Sequence, residues 1–291
     1  MRPRTISVAV LGLSILVMLV AALFVSGCSE AGDQGGKGLT PTPSIQRITV
    51  TGSTTVLPIA EKAKDAFEKR HINADIQISG GGSSVGVKAV GEGTADIGIS
   101  SRDLKSEENA IYPDLVKHEI AIDAIVIIVH PSNPVEALSL DQVRGIFNGT
   151  FTNWKDLGGK DGTIVVVGRD SASGTREYFF EAVMKKENFT TRQEEFNSNG
   201  GIQQKVMQTP GAIGYVGLAY TANVKALKIQ VKEDRIEPTM DNLLQKKYPI
   251  SRPLFMLTKG EPRGLAKDYL EFILSPECQG IVAEAGFVPI R

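Results

Sequence analysis

Three loops rich in glycine and hydroxyl side chains, far apart in the sequence, constrain the fold of this chain most. They are residues 52–55 (GSTT), 80–86 (GGGSSVG) and 169–176 (RDSASGTR). Each follows a predicted strand and leads into a predicted helix, which is typical of α/β folds. Glycine lets a ligand approach the backbone, and the free N–H groups of a helix N-terminus attract anions. With an arginine added, three such loops would surround a small tetrahedral oxyanion.

The apolar pattern between these loops predicts alternating strands and helices. Strands are predicted at 45–51, 74–79, 96–100, 163–168 and 211–217. Helices are predicted to start near Pro58 and to occupy 140–147, 175–185, 262–274 and 276–285. Residues 119–130 are almost wholly apolar and β-branched, as in a strand buried on both faces. We therefore predict an α/β protein, with a mainly parallel sheet in its first domain.

The first 44 residues predict a targeting segment and a linker. An apolar run at 6–25 follows two arginines and ends in VSGC, with Cys28 as the cysteine. Small residues before a cysteine resemble a lipoprotein cleavage box, which predicts a signal peptide at 1–27 and a lipidated, flexible linker at 28–44. The alternative is an uncleaved anchor, because the run is close to the roughly 20 residues that span a bilayer. Either outcome tethers the protein to the outer face of the cell membrane.

Composition and charge narrow the possible classes of protein. The 291 residues include 32 Lys and Arg and 33 Asp and Glu, and they show no basic stripe of the kind that binds nucleic acid. His71, His118 and His130 lack the spacing of metal ligands, and the phosphate-loop motif of nucleotide hydrolases is absent from the sequence. Cys278 has apolar neighbours, which predicts a buried thiol. We expect no metal, no cofactor and no catalytic residue.

Five motifs in a fixed order resemble the phosphate-binding proteins of ABC-type phosphate transporters. They are residues 51–58 (TGSTTVLP), 80–86 (GGGSSVG), 96–102 (DIGISSR), 169–176 (RDSASGTR) and 211–216 (GAIGYV). The resemblance covers nearly all of the chain after the linker. It implies a two-domain periplasmic-binding-protein-like fold of type II with a ligand cleft between the domains. We assign 45–122 and 252–291 to domain I, and 123–251 to domain II.

The resemblance also implies a function and a set of contacts. The protein would be a monomer that captures inorganic phosphate and delivers it to a membrane-embedded ABC permease. The implied ligand contacts are Ser53, Thr54, Thr55, Ser83, Ser84, Ser101, Arg169, Ser171, Ser173, Gly174 and Thr175.

One departure from the family pattern concerns selectivity. Serines stand at 101 and 171, where well-known members of the family carry aspartate. An ionised carboxylate only accepts hydrogen bonds, so it favours hydrogen phosphate, which can donate a proton, over fully ionised sulfate. Asp170 and Asp103 lie nearby in sequence and are possible acceptors. Selectivity against sulfate is therefore left open.

Two alternatives to phosphate binding fit parts of the sequence. The site could take another tetrahedral oxyanion, such as sulfate or molybdate. Residues 82–86 (GSSVG) also fit the G-x-S-x-G nucleophile elbow of serine hydrolases, which needs a histidine base and an acid. His118 and His130 follow this serine in the chain, but no acid can be assigned. A hydrolase or phosphatase would turn over a chromogenic ester or phosphate monoester, whereas a binding protein would not.

Overall fold

The computed structural model describes residues 44–290. The predicted signal peptide, Cys28 and all but the last residue of the predicted linker lie outside this range. The described residues belong to one compact unit, Pro43–Arg291. Within 44–290, no helix combines the length and the apolar character that crossing a bilayer requires.

Strands and α-helices alternate along the described residues. The strands are β1 (Gln46–Gly52), β2 (Ala74–Gly80), β3 (Ile97–Ser100), β4 (Leu115–Val129), β5 (Ala137–Ser139), β6 (Val165–Arg169), β7 (Glu194–Phe196), β8 (Ala212–Gly217), β9 (Lys225–Ala226), β10 (Lys228–Val231), β11 (Asp234–Ile236) and β12 (Ser251–Lys259). The helices are α1 (Leu57–Glu68), α2 (Ser83–Gly91), α3 (Ser106–Ile111), α4 (Leu140–Phe147), α5 (Gly174–Ala182), α6 (Asn199–Gln208), α7 (Met240–Leu244), α8 (Gly264–Ile273) and α9 (Pro276–Glu284). Every strand and helix predicted from the apolar pattern overlaps one of these elements.

One large mixed sheet joins most of the strands. Their order is β2-β1-β3-β12-β4-β8-β6-β7, and β9 pairs with β4. Strand β1 pairs parallel with β2 and β3, and β6 pairs parallel with β7 and β8. The long strands β4 and β12 are antiparallel to each other and to their outer neighbours. The parallel order expected for the first strands holds for β1, β2 and β3. The sheet as a whole is mixed, because β12 returns antiparallel between β3 and β4.

Two hydrophobic clusters pack along this sheet. One is built from residues between 48 and 121 together with residues between 254 and 287. The other is built from residues between 124 and 250, with Val288 added. Strand β4 contributes to both, and the change from one cluster to the other falls between Ala121 and Ala124. Cys278 is fully buried in the first cluster, as its apolar neighbours predicted.

The three glycine- and hydroxyl-rich loops each precede a helix, as predicted. Helix α1 begins at Leu57, α2 at Ser83 and α5 at Gly174. Helix α5 ends at Ala182, short of the predicted residue 185, and the left-handed φ angles of Lys185 (51°) and Lys186 (65°) show that the chain beyond it is not helical. All three helix N-termini lie at the carboxyl end of a preceding strand, where α/β proteins bind ligands.

Candidate anion-binding site

The first and third loops meet through two buried threonines. The Oγ1 atoms of Thr55, just before α1, and Thr175, in the first turn of α5, are 3.0 Å apart. Asn199, at the start of α6, donates from Nδ2 to Oγ1 of Thr54 and of Thr55, at 3.0 Å in both cases. Tyr220 donates from Oη to the carbonyl of Thr54 at 2.7 Å. Hydroxyls from distant parts of the chain are therefore held together out of contact with water.

Ser83 brings the second loop into the same group of buried hydroxyls. Its Oγ accepts a hydrogen bond from the backbone N–H of Ser101 at 3.0 Å and lies 3.4 Å from Oγ of Ser101. Gly174 packs directly on this pair. A Cβ atom at Gly174 would lie 2.8 Å from Cβ of Ser83 and 2.9 Å from Oγ of Ser101, closer than carbon and oxygen atoms approach. The close approach of α5 to α2 thus requires glycine at this position.

Arg169 supplies a buried charge beside these hydroxyls. Its side chain is 1% exposed, and its Nε and Nη2 donate to the carbonyls of Phe196 (3.2 Å) and Asn197 (3.1 Å). Its Nη1 is buried and has no hydrogen-bond partner among the described residues. Burial lowers the pKa of Arg169 to about 10, which still leaves the guanidinium charged at neutral pH. A buried, charged donor without a partner is the signature of a site that binds an anion.

A second buried arginine, Arg252, lies behind the hydroxyls. Its Nη2 donates to Oγ1 of Thr175 at 2.9 Å and of Thr55 at 3.3 Å, and its Nη1 donates to the carbonyl of Ser101 at 3.1 Å. Asp123 holds it in place, because Oδ2 accepts from Nη2 at 3.0 Å and from Nε at 3.3 Å. Both side chains are fully buried. Burial raises the pKa of Asp123, and the charge of Arg252 opposes that rise.

The remaining predicted hydroxyls have other partners or none. Ser53 accepts a hydrogen bond from the N–H two residues further on, and Ser173 caps α5 by accepting from the N–H three residues further on. Ser84 accepts from Nη2 of Arg102 at 3.0 Å. Ser171 is exposed at the surface. Some hydroxyls of the three loops thus form local hydrogen bonds with the backbone, and others contact hydroxyls of another loop.

The two possible acidic acceptors have different surroundings. Asp103 has a side chain that is 65% exposed and forms an ion pair with Lys117. Asp170 is half-buried, and its Oδ1 is buried without a hydrogen-bond partner among the described residues. Arg176, in the same loop as Asp170, forms its ion pair with Glu195 instead. Asp170 is therefore the acid of the two that has an unused, buried acceptor atom.

Four residues of the site, Asp123, Asn199, Tyr220 and Arg252, were missed by sequence reasoning. A signal existed for two of them. Asp123 is a charged residue inside 119–130, which is predicted to be a buried strand, and Arg252 lies in the mainly apolar stretch 249–258; buried charges must be paired. For Asn199 and Tyr220 no signal was available. They lie outside the motifs, and only the three-dimensional fold brings them to the first loop.

Histidine contacts argue against the nucleophile elbow. The Ser84 hydroxyl has Arg102 as its partner, whereas Nε2 of His118 bonds to Thr258 at 2.9 Å and Nδ1 of His130 bonds to Ser132 at 2.8 Å. Within residues 44–290, no three His, Cys, Asp or Glu side chains are grouped so that they could hold a metal ion.

The fold and the buried groups define a binding protein for a small anion. The sequence pattern of the PBP superfamily domain matches residues 37–277. The phosphate-binding protein PstS of Bacillus subtilis is 31% identical over 95% of this chain and 93% of its own length. The chain therefore belongs to the PstS family of the PBP superfamily.

Solved structures agree with this assignment. A phosphate-bound crystal structure from Clostridium perfringens has a TM-score of 0.80 and 39% identity, and the match covers 84% of this chain and 100% of that one. An ABC-type phosphate transport receptor from Vibrio cholerae has a TM-score of 0.67 and 31% identity, with 83% and 99% covered. The predicted family resemblance and fold class are thus confirmed.

Proposed function

We propose that this protein binds inorganic phosphate among its three loops and delivers it to the membrane-embedded permease of an ABC transporter. The observation that carries the proposal is Nη1 of Arg169, a buried and charged donor without a partner among the described residues. A small anion beside the hydroxyls would satisfy that donor. The relatives named above are phosphate-binding and phosphate-transport proteins, so the chain is a binding protein rather than an enzyme.

Isothermal titration of the full-length protein tests the ligand. Phosphate, sulfate, arsenate and molybdate are titrated in turn at one pH and ionic strength. We expect phosphate to bind at one site per chain and more tightly than sulfate or molybdate. Tighter binding of sulfate or molybdate would reject phosphate as the ligand, and turnover of a chromogenic phosphate monoester would favour the hydrolase alternative.

The ligand is proposed to bind between two domains that close on it. Domain I would comprise 45–122 and 252–291, and domain II would comprise 123–251, a division supported by the two separate hydrophobic clusters. The contact of Gly174 with Ser83 would then join the two domains. Binding proteins of this architecture typically hinge around their ligand.

The substitution Gly174→Ala tests this closure. Its Cβ would meet Cβ of Ser83 at 2.8 Å, and the loops would have to separate to accommodate it. We expect phosphate binding to weaken by about 1–3 kcal/mol, the usual cost of overpacking. Titration gives the affinity, and small-angle scattering should show a smaller reduction in radius with phosphate than in the wild type.

Gly280→Ala is the matched control for this substitution. Gly280 lies in α9, and a Cβ there has open space around it. Its affinity and its scattering should equal those of the wild type. Wild-type affinity in Gly174→Ala would show that the two loops do not need to meet in the bound state.

Asp170 is proposed to accept the proton of hydrogen phosphate. Support comes from its buried Oδ1, which has no hydrogen-bond partner in the described part of the chain, whereas Asp103 is exposed and paired with Lys117. Asp170→Asn should weaken phosphate binding by roughly 1–3 kcal/mol, because an acceptor that faces a buried donor is lost. Sulfate binding should change less, so the ratio of the two affinities falls.

Titration of both anions against Asp170→Asn and the control Asp103→Asn decides this point. The control should leave both affinities unchanged, since its carboxylate is in solvent. Equal changes for phosphate and sulfate in Asp170→Asn would mean that Asp170 only orients Arg169.

The protein is proposed to act outside the cytoplasm as a monomer tethered by a lipid on Cys28. This part of the proposal rests on the apolar run and the VSGC sequence, which lie outside the described residues. The mass of the protein extracted from membranes distinguishes cleavage and lipidation at Cys28 from an uncleaved anchor.

A further inference from the structure

The role of Arg252 follows from counting the hydrogen-bond partners of Thr55. A hydroxyl has two lone pairs that accept and one hydrogen that donates. Oγ1 of Thr55 accepts from Nδ2 of Asn199 at 3.0 Å and from Nη2 of Arg252 at 3.3 Å, and both of these nitrogens are donors only. Nη2 of Arg252 carries two hydrogens but contacts three acceptors, Oγ1 of Thr55, Oγ1 of Thr175 and Oδ2 of Asp123, so its longest contact, with Thr55, is a shared one. Neither Asn199 nor Arg252 offers an acceptor in these contacts for the hydrogen of the Thr55 hydroxyl.

The same count applied to Thr55 and Thr175 together leaves one hydrogen atom without an acceptor. Oγ1 of Thr175 accepts from Nη2 of Arg252 at 2.9 Å and lies 3.0 Å from Oγ1 of Thr55. One hydroxyl of the pair can donate to the other, in either direction, and the second hydrogen then has no acceptor in these contacts. It requires an acceptor atom from a ligand. Arg252 donates to both hydroxyls and thus keeps that hydrogen directed away from itself.

Arg252 is held firmly enough to have this effect. It is the direct cross-strand neighbour of Asp123 on the antiparallel pair β12 and β4. Asp123 is fixed in turn, because its Oδ1 accepts from the backbone N–H of Leu218 at 3.1 Å. The pair is neutral as a whole, so it adds little net charge to the site, and its contribution is orientation rather than attraction.

We propose that Arg252, held by Asp123, is a positioning residue that orients the hydroxyls of Thr55 and Thr175 so that one hydrogen of the pair is donated to an oxygen atom of the ligand. This inference rests on the proposed function and deepens it. The specificity for an oxyanion therefore has two sources, the charge of Arg169 and the hydroxyl hydrogen that Arg252 directs towards the ligand.

Exchange of the whole ion pair for apolar residues separates positioning from folding. In the double variant Asp123→Leu/Arg252→Met no buried charge is left without a partner, and such exchanges often leave stability unchanged or raised. We expect a melting temperature near that of the wild type and a loss of phosphate affinity of roughly 10- to 100-fold. A merely structural pair would leave the affinity unchanged, and that result would overturn the proposal.

A double-variant cycle tests whether Arg252 acts through Thr175. Arg252→Lys keeps the charge opposite Asp123 but loses the planar fork of donors. Thr175→Val removes the hydroxyl at nearly constant volume. Each single variant should lose phosphate affinity, and the combination should lose much less than the product of the two single losses. Losses that multiply fully would show independent action and contradict the proposal.

The control for the cycle is Arg70→Lys, which alters an arginine paired with Glu277 at the surface. Its phosphate affinity should equal that of the wild type.

If the apolar double variant does not fold, the cycle alone decides whether Arg252 is a positioning residue. Wild-type protein that bound sulfate but not phosphate would reject the proposed ligand alone, and the cycle would then be measured with sulfate. A wild type that bound no oxyanion would reject both proposals.

Discussion

Replacing Arg169 with alanine is expected to weaken phosphate binding by about 2–5 kcal/mol, because a desolvated anion would lose its charge-assisted partner. The side chain is 1% exposed, so water cannot easily take its place. Two carbonyls orient the guanidinium, and Nη1 has no hydrogen-bond partner within residues 44–290. Titration calorimetry with phosphate measures the loss directly.

Two further variants show what part of the effect comes from charge. Arg169→Lys keeps the charge but not the fork of donors, so its affinity should fall between those of the wild type and Arg169→Ala. Arg192→Ala removes an exposed arginine of the same part of the chain and should change nothing. Near-normal affinity in a folded Arg169→Ala variant would mean that the ligand sits elsewhere.

Asp123→Ala is expected to lower the free energy of unfolding by about 3–5 kcal/mol, because it leaves the charge of Arg252 buried and without a counter-ion. Both side chains are fully buried, and the same carboxylate also accepts the N–H of Leu218. Urea denaturation of wild type and variant gives the difference.

Asp103→Ala provides the comparison, since Asp103 also pairs with a cation, Lys117, but at the surface. Exposed ion pairs contribute about 0–1 kcal/mol, so this variant should unfold almost like the wild type. A similar small loss in Asp123→Ala would show that solvent reaches Arg252 and that the pair is weaker than its burial indicates.

The elements of the fold were predictable because apolar periodicity reports burial. Strand β1 alternates buried and accessible residues, and the almost wholly apolar run 119–130 marks the mainly buried part of β4. Periodicity carries no information on strand direction or on which strand lies beside which. For this reason the antiparallel pairing of β4 with β12 was not foreseen.

The site was predictable only as far as the motifs extend. Spacing in a motif gives residue types, and the structure brings Thr55, Ser83, Ser101 and Thr175 together. Their contact with phosphate stays a prediction. Spacing does not give the direction of a side chain, which is why Ser171 lies exposed although Arg169 and Ser173, two residues away on either side, are buried. Residues that other helices contribute to the site, such as Asn199 at the start of α6, lie outside every motif and could not be predicted from spacing.

The pairing of Asp123 with Arg252 also limits how this sequence can drift. A change at either position alone leaves a buried charge without its counter-ion. Selection would therefore remove most single mutants before a second change arises. Harmless exchange requires both positions to change at nearly the same time. Positions 123 and 252 should therefore co-vary as one unit in an alignment of related chains, although they lie 129 positions apart in the sequence.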